Sequence, residues 1–176
     1  SQINCMENFT NNTIDISRLP RFETVDFQKL HPSYWKVILI NQFFTFLILA
    51  IGVGVLQYTV HEIGSNILYI WLGLLALFLF VFLFSRLSFL KKGFAFREHD
   101  ALFKQGVIAT KTTIIPYNRV QHVALHEGWL SRYFGLAKVE IFTAGGSSSD
   151  LEIPGIEKEQ AEKIKQLLMG KIQQQL

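Results

Sequence analysis

The sequence predicts a membrane-anchored α+β protein, in which a two-helix transmembrane hairpin precedes a small antiparallel β domain closed by a C-terminal α-helix. Three observations predict it. Val37–Tyr58 and Asn66–Ser85 are apolar runs without a charged residue, each long enough for a helix to cross a hydrocarbon core ~30 Å thick. Beyond Lys92 the chain breaks into short alternating segments separated by turn residues, the pattern of strands. After Pro154-Gly155 the apolar positions Ile156, Ile164, Leu167, Leu168 and Ile172 fall at helical spacing.

A buried core helix rarely lacks a polar face over twenty residues, and a 176-residue chain cannot supply the shell that two such helices need. In lipid each helix satisfies its own backbone groups. Arg18, Arg21, Lys29 and Lys36 precede the first run, and Arg86, Lys91, Lys92 and Arg97 follow the second. The link between them holds His61 and Glu62 but no Lys or Arg. The positive-inside rule then puts both termini in the cytoplasm and the link outside. Tyr34 and Trp35 at one entrance, with Tyr58, Tyr69 and Trp71 near the far one, form an interfacial aromatic belt. Asn41 and Gln42 lie close enough to the interface for water or a neighbouring helix to satisfy them, and Gly52, Gly54 and Gly73 permit close helix contact.

Three divisions follow. Residues 1–33 form an N-terminal tail, residues 34–90 the hairpin and residues 91–176 the β domain. Residues 1–17 are polar, and Phe22–Leu30 is short and amphipathic; it lies on the bilayer surface or touches the β domain as a loop. Pro32 opens the first helix. From Lys91 onward twelve Lys or Arg face nine Asp or Glu, too slight an excess for nucleic acid, which calls for a clustered basic face. Cys5 is the single cysteine, so an intrachain disulfide and a cysteine zinc site are excluded. The two Asn-x-Thr sequons at Asn8 and Asn11 are chance matches if the tail is cytoplasmic.

Within the β domain, Phe94–Arg97 and Leu102–Lys104 flank a turn at Glu98-His99-Asp100, and Thr112–Ile115 ends at Pro116. In Arg119–Glu127 the inward phase fits both Val120 and Val123 only with a bulge near Gln121 or His122. Gly128–Gly135 is one helical turn bracketed by glycines, Lys138–Thr143 alternates cleanly, and Gly145–Ser149 is a hairpin tip before the strand Asp150–Ile153. Pro154-Gly155 ends the sheet. Six or seven strands and one helix result.

The segments Ile115-Pro116-Tyr117-Asn118-Arg119-Val120-Gln121, Gly128-Trp129-Leu130-Ser131-Arg132-Tyr133-Phe134-Gly135-Leu136, Thr143-Ala144-Gly145-Gly146 and Ile153-Pro154-Gly155, with Gly106 before them and Leu30-His31-Pro32-Ser33-Tyr34-Trp35 ahead of the hairpin, resemble the YdbS-like bacterial membrane proteins with a pleckstrin-homology-like (bacterial PH) domain. The resemblance runs from about Leu30 onward. It implies a PH-like barrel or sandwich of two nearly orthogonal antiparallel sheets, with the C-terminal helix plugging one end. It implies no phosphoinositide binding, since fold does not fix function, and points instead to an anchored scaffold beside a larger membrane protein with similar domains.

For chemistry the sequence offers little. It has no GxSxG elbow, P-loop or dinucleotide fingerprint, so neither an enzyme nor a cofactor is expected. His122 and His126 could form half a metal site with His99 or Glu127, but a bulge between them would part the pair, and no metal is expected. Arg119 and Arg132 lie inside the family-like segments and are candidates to grip a partner's carboxylate or a lipid phosphate, or to tie a loop to the barrel. Arg86, Lys91 and Lys92 adjoin the bilayer and feel anionic lipid at about 1 kcal/mol each. The leading expectation is a non-enzymatic inner-membrane scaffold that presents a PH-like module to the cytoplasm, with the lipid bilayer, another such membrane protein or a homo-oligomeric copy as partners. The competing expectation is a sensor of anionic lipid headgroups. Two helices without an intramembrane acid or base make poor transport machinery.

Overall fold

The computed structural model describes residues 25–60, 66–144 and 149–173. The polar tail with Cys5, Arg18 and Arg21, the sequons, the link with His61 and Glu62, and the glycine–serine tip at 145–148 lie outside the described residues.

The two apolar runs form helices α1 (Ser33–Thr59) and α2 (Ile67–Lys91), with Pro32 at the N-cap of α1. Only 11% and 0% of their most apolar windows are buried. A core helix of a soluble protein would show the reverse. The hairpin packs through aromatic rings: Phe46 meets Phe78 edge-on at 5.0 Å between centroids, and Trp35 meets Phe82 at 5.7 Å. The glycines play no part. A Cβ at Gly52, Gly54 or Gly73 would meet nothing within 4 Å, so the helices are held apart by phenylalanines rather than drawn together at small residues. Gln42 is buried in α1 and neither its amide nitrogen nor its oxygen has a partner among the described residues.

Among the described residues seven strands follow the antiparallel plan, but the first precedes the hairpin. Strand β1 (Gln28–Lys29) pairs with β2 (Gly93–Phe96), which pairs with β3 (Asp100–Gln105) and then β4 (Lys111–Pro116). The described part of the amphipathic segment is thus neither a surface piece nor a loose loop; it is the edge strand of a sheet completed across the membrane hairpin. A second sheet holds β5 (Val120–His126), β6 (Leu136–Thr143) and β7 (Leu151–Glu157). No ladder joins the two sheets among the described residues, so they form an open pair rather than a closed barrel.

The expected irregularity in β5 is present: the register shifts between Val120 and His122, which turns both Val120 and Val123 inward, where both are buried. Pro154-Gly155 does not stop the sheet. The register of β7 shifts opposite Ala137–Val139 and resumes at Ile156 and Glu157, because an edge strand tolerates proline and absorbs the extra residues as a bulge. Helix α4 (Lys158–Gln173) therefore begins later than the apolar spacing implied. It buries Ala161, Ile164 and Leu168 against β5, β6 and β7, while Leu167 stays half-exposed.

One core lies between the sheets and α4, with Phe94, Phe103 and Ile115 of the first sheet facing Val139, Ile141 and Ile153 of the second. Tyr117 fills its corner and donates a hydrogen bond of 2.6 Å from Oη to the Arg97 carbonyl. A smaller cluster joins the domain to the hairpin: Tyr34, Val37 and Ile40 of α1 pack on Leu130, Phe134 and Leu136. The same joint carries a backbone bond from the His31 N–H to the Gly155 carbonyl at 2.8 Å. Gly155 sits at φ +67°, and a Cβ there would fall 2.5 Å from Tyr34 Cγ, so only glycine lets the aromatic ring come this close.

Candidate functional site

Three of the five cationic candidates converge where α2 runs into β2. Arg86 lies over the Trp35 ring at 4.9 Å and near the Phe89 ring at 5.9 Å, a cation–π arrangement at the hairpin's domain end. Lys91 ends α2 and donates from Nζ to the Val107 carbonyl at 2.8 Å. Lys92 follows at once, and partial burial pushes its ammonium pKa below the ordinary value. Two further lysines share the place. Lys29 and Lys104 line the same cavity as Lys91 and Lys92, and Lys104 Nζ stands 5.7 Å from the Phe27 centroid.

Arg119 and Arg132 line neither this cavity nor its neighbour. Arg119 closes a single 3-10 turn, Tyr117–Arg119, and its carbonyl accepts from the Ala144 N–H at 3.3 Å. Arg132 sits on the one-turn helix α3 (Trp129–Tyr133), with its carbonyl accepting from Gly135 at 3.1 Å. Backbone atoms tie these loops down, while both guanidinium groups are exposed and unpaired among the described residues. Beside Arg132, Trp129 and Tyr133 are 73% and 83% exposed. They occupy i, i+3 and i+4 positions and form one face, while Leu130 anchors the opposite side of the turn to α1.

The histidine pair is uninterrupted, since the bulge precedes His122 and the ladder runs regularly from His122 to His126. His122 stacks on Phe142 at 4.2 Å and 12°. Among the described residues no group of three His, Cys, Asp or Glu is placed to hold a metal ion. On β6, Lys138 reaches Glu140 at 2.6 Å and Glu152 at 3.0 Å. Between the sheets at their hairpin-side end a polar cleft of about 520 Å³ includes Lys92, Gln105, Lys111 and Lys138 with Asp150 and Glu152, so its charges largely cancel.

Residues 37–172 match the family described as Bacterial PH domain. The chain is 30% identical over 122 residues to the UPF0699 transmembrane protein YdbS of Bacillus subtilis (strain 168), covering 68% of this chain and 74% of that one. It is 27% identical over 148 residues to the UPF0699 transmembrane protein YdbT of the same organism, 82% of this chain but only 29% of the relative. No solved structure matches.

Proposed function

The chain belongs to the bacterial PH domain family, and from that premise we propose that it is a non-enzymatic scaffold, a multi-pass protein of the bacterial inner membrane that presents its PH-like module at the cytoplasmic face to another membrane protein. The observation that carries this reading is the exposed face of Trp129, Arg132 and Tyr133. Trp, Arg and Tyr are the residue types that dominate protein interfaces. Here they stand on a helical turn already fixed by Leu130 and by the glycines that bracket it, which lowers the ordering cost of binding.

A similar PH-like domain on a second membrane protein is the partner that fits. The chain is similar both to a relative of comparable length and to one of which it spans less than a third, so a similar unit lies within a larger membrane protein. The cytoplasmic placement rests on the basic residues outside the hairpin.

A photoreactive amino acid at position 129 or 133 of the full chain, in native membranes, tests the reading. It should crosslink to a second membrane protein, and a Trp129→Ala/Tyr133→Ala variant should lose that protein on purification. Crosslinks to lipid alone would refute it.

A further inference from the structure

We propose that the groove where the hairpin meets the four-stranded sheet binds the phosphate of an anionic bilayer lipid. Strand register builds the site. Lys29 pairs with Gly93, and Gly93 pairs with Lys104, so the three lie in one row and their side chains leave the same face of the sheet. Gly93 contributes no side chain. The outer strands are separated by about 10 Å, and the Phe27 side chain packs over Gly93 between them, so the two lysines flank an apolar ring. A Cβ at Gly93 would fall 3.1 Å from Phe27 Cβ, so the absence of a side chain at Gly93 is what admits Phe27.

The cavity above this row measures about 330 Å³ and is lined by Lys29, Lys91, Lys92 and Lys104 with Phe27 and Leu90 among its apolar walls. Among the described residues no carboxylate lines it. A second cavity of about 360 Å³ shares Lys29 and Leu90 and adds Arg86 beside Trp35. Five cations thus surround a continuous groove whose walls are otherwise mostly apolar, the combination that a phosphate joined to a glycerol and acyl chains requires.

The groove also stands at the right depth. The 25 residues of α2 extend about 37 Å, which exceeds a hydrocarbon core of ~30 Å by about five residues. With the surplus at the domain end, Arg86 marks the hydrocarbon boundary and Lys91 and Lys92 enter the headgroup layer. The β3–β4 connection is held at that level by the Lys91–Val107 hydrogen bond. Gly106 turns it sharply at φ +121°, and Ile108 on it is 94% exposed, in position to enter the lipid next to the groove.

Free phosphate shares the recognition chemistry, and the apolar walls and the depth select the lipid. The test uses the full chain reconstituted with phosphatidylglycerol and phosphatidylcholine, extracted in mild detergent and read by native mass spectrometry. Phosphatidylglycerol should be retained preferentially. Lys29→Gln/Lys104→Gln should lower that retention about tenfold or more, Lys29→Arg/Lys104→Arg should restore it, and Lys158→Gln/Lys163→Gln should leave it unchanged. Equal retention of both lipids by the wild type, or undiminished phosphatidylglycerol on the Gln variant, would overturn the site. Inorganic phosphate that shields these lysines from acetylation as well as phosphatidylglycerol vesicles do would overturn the lipid as its ligand.

Discussion

Lys138 and Lys92 border one polar cleft, yet only Lys138 is paired with carboxylates among the described residues. Lys138 is held by Glu140 and Glu152, and its hydrogen bond to Glu140 leads the causes that raise its ammonium pKa. Glu152 is lowered in turn by Ser149 first and by Lys138 second. That charge is compensated inside the protein. Lys92 borders both the polar cleft that holds Lys138, Asp150 and Glu152 and the juxtamembrane cavity with three other lysines, makes no ion pair among the described residues, and burial drives its pKa the other way. An uncompensated, partly desolvated cation costs stability in the isolated chain, and an external anion would remove that cost. The sheet surface is built to be complete by itself and the groove is not.

The largest way to break this contrast is to detach the groove from the hairpin. Gly155→Ala forces a Cβ into Tyr34 at a positive φ and should cost more than about 3 kcal/mol, seen as a fall in the thermal midpoint of the reconstituted chain. Next is the corner between the sheets. Tyr117→Phe removes the bond to the Arg97 carbonyl and should cost about 1–2 kcal/mol in denaturant unfolding. The same tyrosine carries a pH signature. Burial, helped by Asp100 and opposed by Arg97, pushes its pKa up to about 12 from 10.0. Because the folded value is the higher one, this contribution is fully present below pH 10 and is lost as pH rises towards 12. Phenolate absorbance should include a component that titrates at about 12, and Tyr117→Phe should remove that component.

A smaller effect comes from Gln42, which is buried and has no side-chain partner among the described residues. Gln42→Leu should be neutral or stabilising by up to about 1 kcal/mol when the hairpin's resistance to denaturing detergent is measured. Smallest, and sharpest as a contrast, are the lysines themselves. Lys138→Gln strands two carboxylates and should cost about 0.5 kcal/mol, whereas Lys92→Gln in zwitterionic detergent should be neutral or slightly stabilising. Equal losses in thermal midpoint for the two would erase the distinction.

Much of this was legible in the chain. Uncharged length marks both helices, alternation marks β6, and the clash of phase between Val120 and Val123 is enough to locate the β5 bulge. What was hidden is non-local. Strand β1 is two residues long, too short for a period, and its partner lies beyond the whole hairpin. For the same reason Lys29 and Lys104 carry no shared signal in sequence; only the register through Gly93 brings them together. Pro154-Gly155 reads as a stop because a bulged edge strand and a strand end use the same residues. The glycines of the spans misled because whether a small residue faces a neighbouring helix or lipid depends on helix rotation, which a run apolar on every side does not encode. Arg132 lies on the glycine-bracketed turn as expected, whereas Arg119, read as the first residue of a strand, closes the 3-10 turn before β5, and the ties that hold both turns are made by their carbonyls.

The most direct test compares the two sets of lysines in one sample. With the lysines of the full chain ¹³C-dimethylated in nanodiscs, exchanging phosphatidylcholine for phosphatidylglycerol should shift the Lys29, Lys92 and Lys104 resonances while Lys138 stays where it is. A uniform shift of all lysines, or a response confined to Lys138, would contradict the account.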